Sequence, residues 1–160
     1  MGRVRRLGGG FRVDGQAGRL MRIAVDGVTA AGKTTFADRL ADLLGGVARI
    51  SIDEFHRPNQ ARYYPDSFDF DAFRAAVVQA PRPLVADGVF LLHPDLRDLW
   101  DLTIFLRCDR EVALERGIAR DESSMENARE RYATRYVPGE TQYLEEVDPE
   151  STADLVVDTS

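Results

Sequence analysis

Two hydrophobic rhythms alternate along this 160-residue chain. Short apolar runs at residues 22–25, 84–86, 102–106 and 155–157, and the alternating run at 48–52, have the length of strands. Between them, apolar residues fall at helical spacing. The first such stretch, residues 33–44, carries Phe36, Leu40, Leu43 and Leu44 as its expected buried face and stops at Gly45-Gly46. Phe70, Phe73, Val77 and Val78 mark a short second helix ended by Pro81 and Pro83, and Pro94 opens a helical turn that reaches Leu99. Asp109 is the expected N-cap of a helix carrying Val112, Ala113, Arg116, Ile118 and Arg120. Ser123-Ser124-Met125-Glu126 fits a capping box for the next helix, which runs to about Tyr136, is interrupted at Pro138-Gly139 and resumes through Leu144. Strands alternating with helices predict an α/β fold of three layers: a mostly parallel five-stranded sheet, helices on both faces, right-handed crossovers.

Composition narrows this picture. The length suits one domain, which at this size buries roughly 70% of its unfolded surface. The formal charge is −6, but residues 1–20 hold five arginines against Asp14 alone, so a leader of +4 precedes a body of −10. That leader has six glycines and no periodicity and is read as a flexible basic segment ahead of a domain at residues 21–160, with Met21 a candidate translation start. An acidic body argues against a nucleic-acid partner. No apolar run approaches the roughly 20 residues that span a bilayer, and none follows the Arg5-Arg6 pair as an export signal would require. Cys108 is the single cysteine, which rules out an intrachain disulfide and fits a reducing cytoplasm. His56 and His93 are too few for a histidine zinc cluster.

The chemistry starts after the first strand. Gly27, Val28, Thr29, Ala30, Ala31, Gly32, Lys33, Thr34 and Thr35 fit G-x-x-x-x-G-K-[ST] between a strand and a helix. Glycines let the backbone curl its N–H groups toward a polyphosphate, the helix start adds positive potential, Lys33 reaches the β and γ phosphates, and the Thr34 hydroxyl is suited to Mg²⁺. The expected fold is therefore that of the P-loop NTPases. Asp53 and Glu54 follow the second strand, at the end that faces the ligand crevice in open α/β sheets. Asp87-Gly88 ends the third strand in the form of a Walker B element. Arg116 and Arg120 share one helix face. No N-K-x-D guanine-reading sequence is present. An acceptor carboxylate and a pair of arginines suit phosphoryl transfer to a small hydroxyl, the carboxylate taking the proton and the cations the spreading charge. Plainer roles stand beside these: Asp53 and Asp87 as caps, the arginines as surface ion-pair partners, His56 and Arg57 as loop residues rather than acceptor contacts, Tyr136 and Tyr143 as packing.

Four blocks make the chain resemble the uridine kinase-like P-loop kinases, near relatives of phosphoribulokinase and pantothenate kinase. They are the P-loop; S-I-D-E-F-H-R-P from Ser51 to Pro58; A-D-G-V-F-L-L-H-P-D-L-R-D-L-W-D from Ala86 to Asp101; and E-R-G-I-A-R-D with the later R-Y-V-P-G-E-T-Q-Y. The resemblance implies Asp53 as catalytic base, Asp87 with Thr34 at Mg²⁺, and Lys33, Arg116 and Arg120 around the transferring phosphoryl group; His56 and Arg57, beside Asp53 in sequence, are candidate substrate contacts. It implies ATP and Mg²⁺ as cofactors and a small hydroxyl-bearing metabolite, most simply a nucleoside, as partner; a homo-oligomer is compatible with it. Two departures stand out. Only residues 79–83 lie where uridine kinases carry a base-binding β-hairpin, and Gly117 stands where many relatives have a second adjacent arginine. The first leaves open a kinase for another alcohol, pantothenate-like or sugar, and a nucleotide-binding regulatory module without turnover.

Overall fold

The computed structural model describes residues 4–6 and 21–160. The flexible-leader reading lies outside the described residues, apart from a three-residue strand, β1 (Val4–Arg6). After β1 come β2 (Arg22–Gly27), α1 (Lys33–Leu43), β3 (Ala48–Ser51), α2 (Phe70–Gln79), β4 (Leu84–Gly88), β5 (Leu102–Arg107), α3 (Arg110–Asp121), α4 (Ala128–Arg131), α5 (Val137–Val147), α6 (Pro149–Thr152) and β6 (Leu155–Asp158). The strands form one sheet in the order β1-β6-β5-β2-β4-β3. The five strands expected from the apolar runs are all parallel, and β1 adds an antiparallel edge beside β6. No described helix is long and apolar enough to cross a membrane.

The central strands β2, β4 and β5 are largely apolar on both faces because both faces are covered. Ile23 and Val25 of β2, Val85 of β4, and Ile104 and Leu106 of β5 point into one core with Ala37 and Ala41 of α1. The alternate residues Ala24, Leu84, Ala86 and Phe105 point into the other, an aromatic-rich core with Phe73, Phe90, Trp100 and Tyr143. The α1 face differs from expectation at its end. Leu43 is 85% exposed, and the sheet-facing stripe is Ala37 and Ala41, small side chains that let the helix approach the strands closely.

The segment after α3 also departs from the sequence reading. The Ser123 capping box is not used; the chain passes through Asn127 in left-handed backbone (φ 59°) and α4 begins at Ala128. Pro138 does not interrupt the helical path. A π-helical turn at Tyr132–Tyr136 joins α4 to α5, and Pro138 sits in the first turn of α5, where a missing N–H is tolerated.

β2 is the hinge of the topology. The chain fills the β4 side of it first and the β5 side afterwards, so a crevice opens at the carboxyl end of β2.

Candidate functional site

At that crevice the chain leaves β2 through Gly27, where a Cβ would stand 2.8 Å from the Leu106 carbonyl oxygen. Ala30 (φ 63°) and Gly32 (φ 88°) take left-handed backbone, and the Ala31 amide donates to the Val28 carbonyl at 3.1 Å. No side chain caps the start of α1, so its first amides remain available to an anion, with the helix dipole behind them. The Lys33 ammonium donates to the Val28 carbonyl at 2.7 Å. Desolvation lowers its pKa, and the carboxylates of Glu140, Asp26, Asp53 and Asp87 oppose that shift. Thr29, Ala30, Gly32, Lys33, Thr34 and Thr35 line a cleft of about 740 Å³; Gly27, Val28 and Ala31 form the back of the loop.

Strand register delivers the two acids to the same cleft. Ser51 of β3 is the partner of Asp87 in β4, and Asp53 follows two residues later in a 3₁₀ turn, Ile52–Phe55, that Ser51 caps by accepting from the Asp53 amide at 3.3 Å. Asp53 reaches solvent inside the cleft. Desolvation pushes its pKa up, Lys33 opposes this, Asp87 adds to it, and Arg120 and His56 oppose it again. Asp87 is 1% exposed. Its Oδ2 accepts from the Thr34 hydroxyl at 3.0 Å, and its Oδ1 accepts from Arg49 Nη2 at 3.0 Å. A hydroxyl and one carboxylate oxygen fit Mg²⁺, which takes few protein ligands and completes its octahedron with phosphate oxygens and water.

Arg116 and Arg120 of α3 line the cleft opposite the loop. Arg116 Nη1 donates to the Thr159 carbonyl at 2.9 Å; Arg120 pairs with Asp121 at 2.8 Å and donates to the Tyr132 hydroxyl at 3.3 Å. Gly117 has a local reason. A Cβ there would stand 2.4 Å from the Tyr132 hydroxyl oxygen, so the space a side chain would need is occupied by a tyrosine ring, itself held by Asp121 at 2.8 Å.

The far wall is aromatic. His56, Tyr63, Phe68 and Tyr136 line the cleft, with Tyr63 and Tyr136 ring centroids 4.9 Å apart and His56 edge-on to Phe68 at 5.7 Å. Tyr136 is thus a half-buried cleft residue as well as a packing one, whereas Tyr143 is buried. This wall comes from the loop after β3 and from the π turn. Arg57 is not part of it: its guanidinium pairs with Asp69 at 3.5 Å, and Asp69 caps α2 by accepting from the Ala72 amide at 2.9 Å.

Four supporting residues escaped the sequence reading. Asp26 was legible as an acid ending a buried apolar run directly before the loop, and Arg49 as a charge inside a strand. Glu140 and Tyr143 had no such signal, because their partners are 111 and 117 residues away.

No family model matches the chain. Among curated proteins, Uridine kinase-like protein 4 of Arabidopsis thaliana is 28% identical over an alignment of 147 positions that takes in 68% of this chain and 31% of that protein. Uridine-cytidine kinase A of Dictyostelium discoideum is 25% identical over 177 positions, taking in 84% and 35% respectively. The chain spans about a third of the length of these relatives. Among solved structures, a possible uridine kinase from Bacillus stearothermophilus superposes with a TM-score of 0.64 at 20% identity, over 88% of this chain and 89% of that one. A candidate fructose transport system kinase from Silicibacter sp. TM1040 gives 0.74 at 18%, over 90% and 92%. A gluconokinase from Sinorhizobium meliloti 1021 gives 0.57 at 20%, over 88% and 83%. At these identities the solved structures establish the fold, an α/β P-loop fold, and the curated relatives carry the sequence likeness. In motif, curated relatives and fold, the chain is similar to the uridine kinase-like P-loop kinases.

Proposed function

We propose that the chain is an ATP-dependent small-molecule kinase that transfers the γ-phosphoryl group of MgATP to a hydroxyl, most simply that of a nucleoside. One observation carries the reading: the phosphate-type loop, carboxylates from two neighbouring strand ends and two arginines of α3 line a single cleft of about 740 Å³. The loop amides and Lys33 hold the polyphosphate. Thr34 and Asp87 would hold Mg²⁺, which would supply positive charge to the phosphates. Asp53 takes the proton of the acceptor hydroxyl as its oxygen bonds to the γ-phosphorus and the bond to the β-bridging oxygen breaks, releasing ADP. Arg116 and Arg120 exchange protein partners for the charge spreading over the transferring group. Positioning and electrostatics supply the rate. His56, with the aromatic wall, borders the acceptor; Arg57, paired outward, acts at most on the loop that carries His56.

The acceptor class has a second reading. The likeness in fold to a gluconokinase and a candidate fructose transport system kinase, and the five residues at 79–83 in place of a hairpin, favour another alcohol such as a sugar. A panel of nucleosides, sugars and pantothenate-like alcohols assayed for ATP-dependent phosphorylation, with calorimetry for MgATP alone, separates these. Tight MgATP binding with no turnover on any acceptor would instead favour a regulatory nucleotide-binding module. Asp53→Asn is expected to keep MgATP affinity and lose turnover by about two orders of magnitude or more; near-normal turnover would remove Asp53 as the base.

A further inference from the structure

We infer that Glu140, on α5, is a positioning residue of the phosphate-binding loop, holding Thr29 so that the loop keeps its arch before a nucleotide arrives. This rests on reading the loop as the ATP site. Thr29 donates its amide, at 2.7 Å, and its hydroxyl to the same carboxylate oxygen of Glu140. Glu140 is 8% exposed, and burial pushes its pKa up. An apolar side chain of similar volume would usually serve stability as well or better than a buried charge, so packing alone gives no reason for an acid here.

The helix that carries Glu140 is itself fixed. Tyr143, three residues on and therefore on the same face, donates its hydroxyl to buried Asp26. The same Asp26 oxygen accepts from the Leu92 amide at 3.2 Å, and the other accepts from the Gly27 amide at 2.7 Å. Gly139, beside Glu140, packs so closely that a Cβ would stand 2.9 Å from Tyr63 Cδ1. One helix thus grips the first half of the loop twice: at Gly27 through Tyr143 and Asp26, and at Thr29 through Glu140. A loop ordered in advance loses less freedom on binding, so the brace acts on affinity.

The test is calorimetric MgATP affinity for the full chain and for Glu140→Ala, Glu140→Gln, Thr29→Val and the double variant Glu140→Ala/Thr29→Val, each well below its melting temperature. Glu140→Ala should raise Kd about tenfold, as expected for losing hydrogen bonds to a charged acceptor. Glu140→Gln keeps an accepting oxygen and should stay within about threefold. The double variant should bind much as Glu140→Ala does. An unchanged Kd in Glu140→Ala, penalties that simply add in the double variant, or a Gln variant as weak as Ala would overturn the assignment. Failure of the unsubstituted chain to bind MgATP would instead defeat the reading of the loop as an ATP site. The brace is then judged by hydrogen exchange at the Thr29 amide, whose protection should survive Glu140→Gln and be lost in Glu140→Ala.

Discussion

Asp26 sets the terms at the scale of single residues, because it is the buried acid on which both the loop and α5 hang. It is fully buried, and desolvation raises its pKa from 3.8 to about 6, against hydrogen bonds from Tyr143, Gly27 and Leu92 and the charge of Lys33 that favour the ionised form. A folded-state pKa above the unfolded one means that the native protein binds this proton more tightly. The resulting stabilisation is fully present below about pH 4 and is lost as pH rises through about 6. The difference corresponds to about 3 kcal/mol. The Asp26 carboxyl carbon resonance should therefore titrate near pH 6, and denaturant unfolding should give a free energy that falls between pH 4 and 7 by more in the unsubstituted chain than in Asp26→Asn. A resonance that moves near pH 4 would contradict this account. Asp53 contrasts with it: it too is shifted upward by desolvation, but it meets solvent in the cleft, which a proton acceptor requires.

Secondary elements bring these residues together, and here the sequence was legible to different depths. The strands and the phosphate loop could be read because their signals are local: an apolar run of the right length, the glycine and lysine spacing of the loop, acids at strand ends. On the buried face of α1, Phe36 and Leu40 pack against the core as expected, but the end was misread because alanine, which the sheet selects for close approach, carries less hydrophobic signal than Leu43, which points outward. The break expected at Pro138 failed for a similar reason, since a π turn upstream makes Pro138 an early residue of α5. Tyr143 could be read as a packing residue, but the partners of Glu140 and Tyr143 could not be read, because tertiary packing alone selects them. That packing is testable at α3. Gly117 seats the Tyr132 ring, with only 2.4 Å between an added Cβ and the hydroxyl oxygen, so Gly117→Ala must displace the tyrosine and its bond to Asp121. Overpacking of this kind costs about 1–3 kcal/mol, or roughly 2–4 °C of melting temperature per kcal/mol in a domain of this size. Thermal denaturation should register that loss, and an unchanged melting temperature would mean that Tyr132 swings aside freely.

For the whole molecule, the sheet order draws the lining of the cleft from separate parts of the chain. β2 and α1 supply the phosphate loop, β3 and β4 the acids, α3 the arginines, and the helix from Ala128 to Val147 touches each neighbourhood in turn. Tyr132 meets Arg120, Arg135 donates to the Gln60 carbonyl at 2.8 Å and to Ser67 Oγ at 2.9 Å, and Glu140 meets Thr29. A ligand that engages the loop therefore draws on contacts distributed over the fold, and its binding energy should appear as stability of the entire domain. At a hundredfold excess over Kd the linkage is about 2.7 kcal/mol, or roughly 5–10 °C in melting temperature. MgATP should give such a shift, and Mg²⁺ alone should give little. Lys33→Ala leaves Asp26, Asp53, Asp87 and Glu140 without their shared cation, so its melting temperature should already differ in the absence of nucleotide. The decisive quantity is the increment on adding MgATP, which Lys33→Ala should largely abolish. An increment equal in both proteins would detach Lys33 from nucleotide binding, and no increment in the unsubstituted chain would detach the nucleotide from the loop.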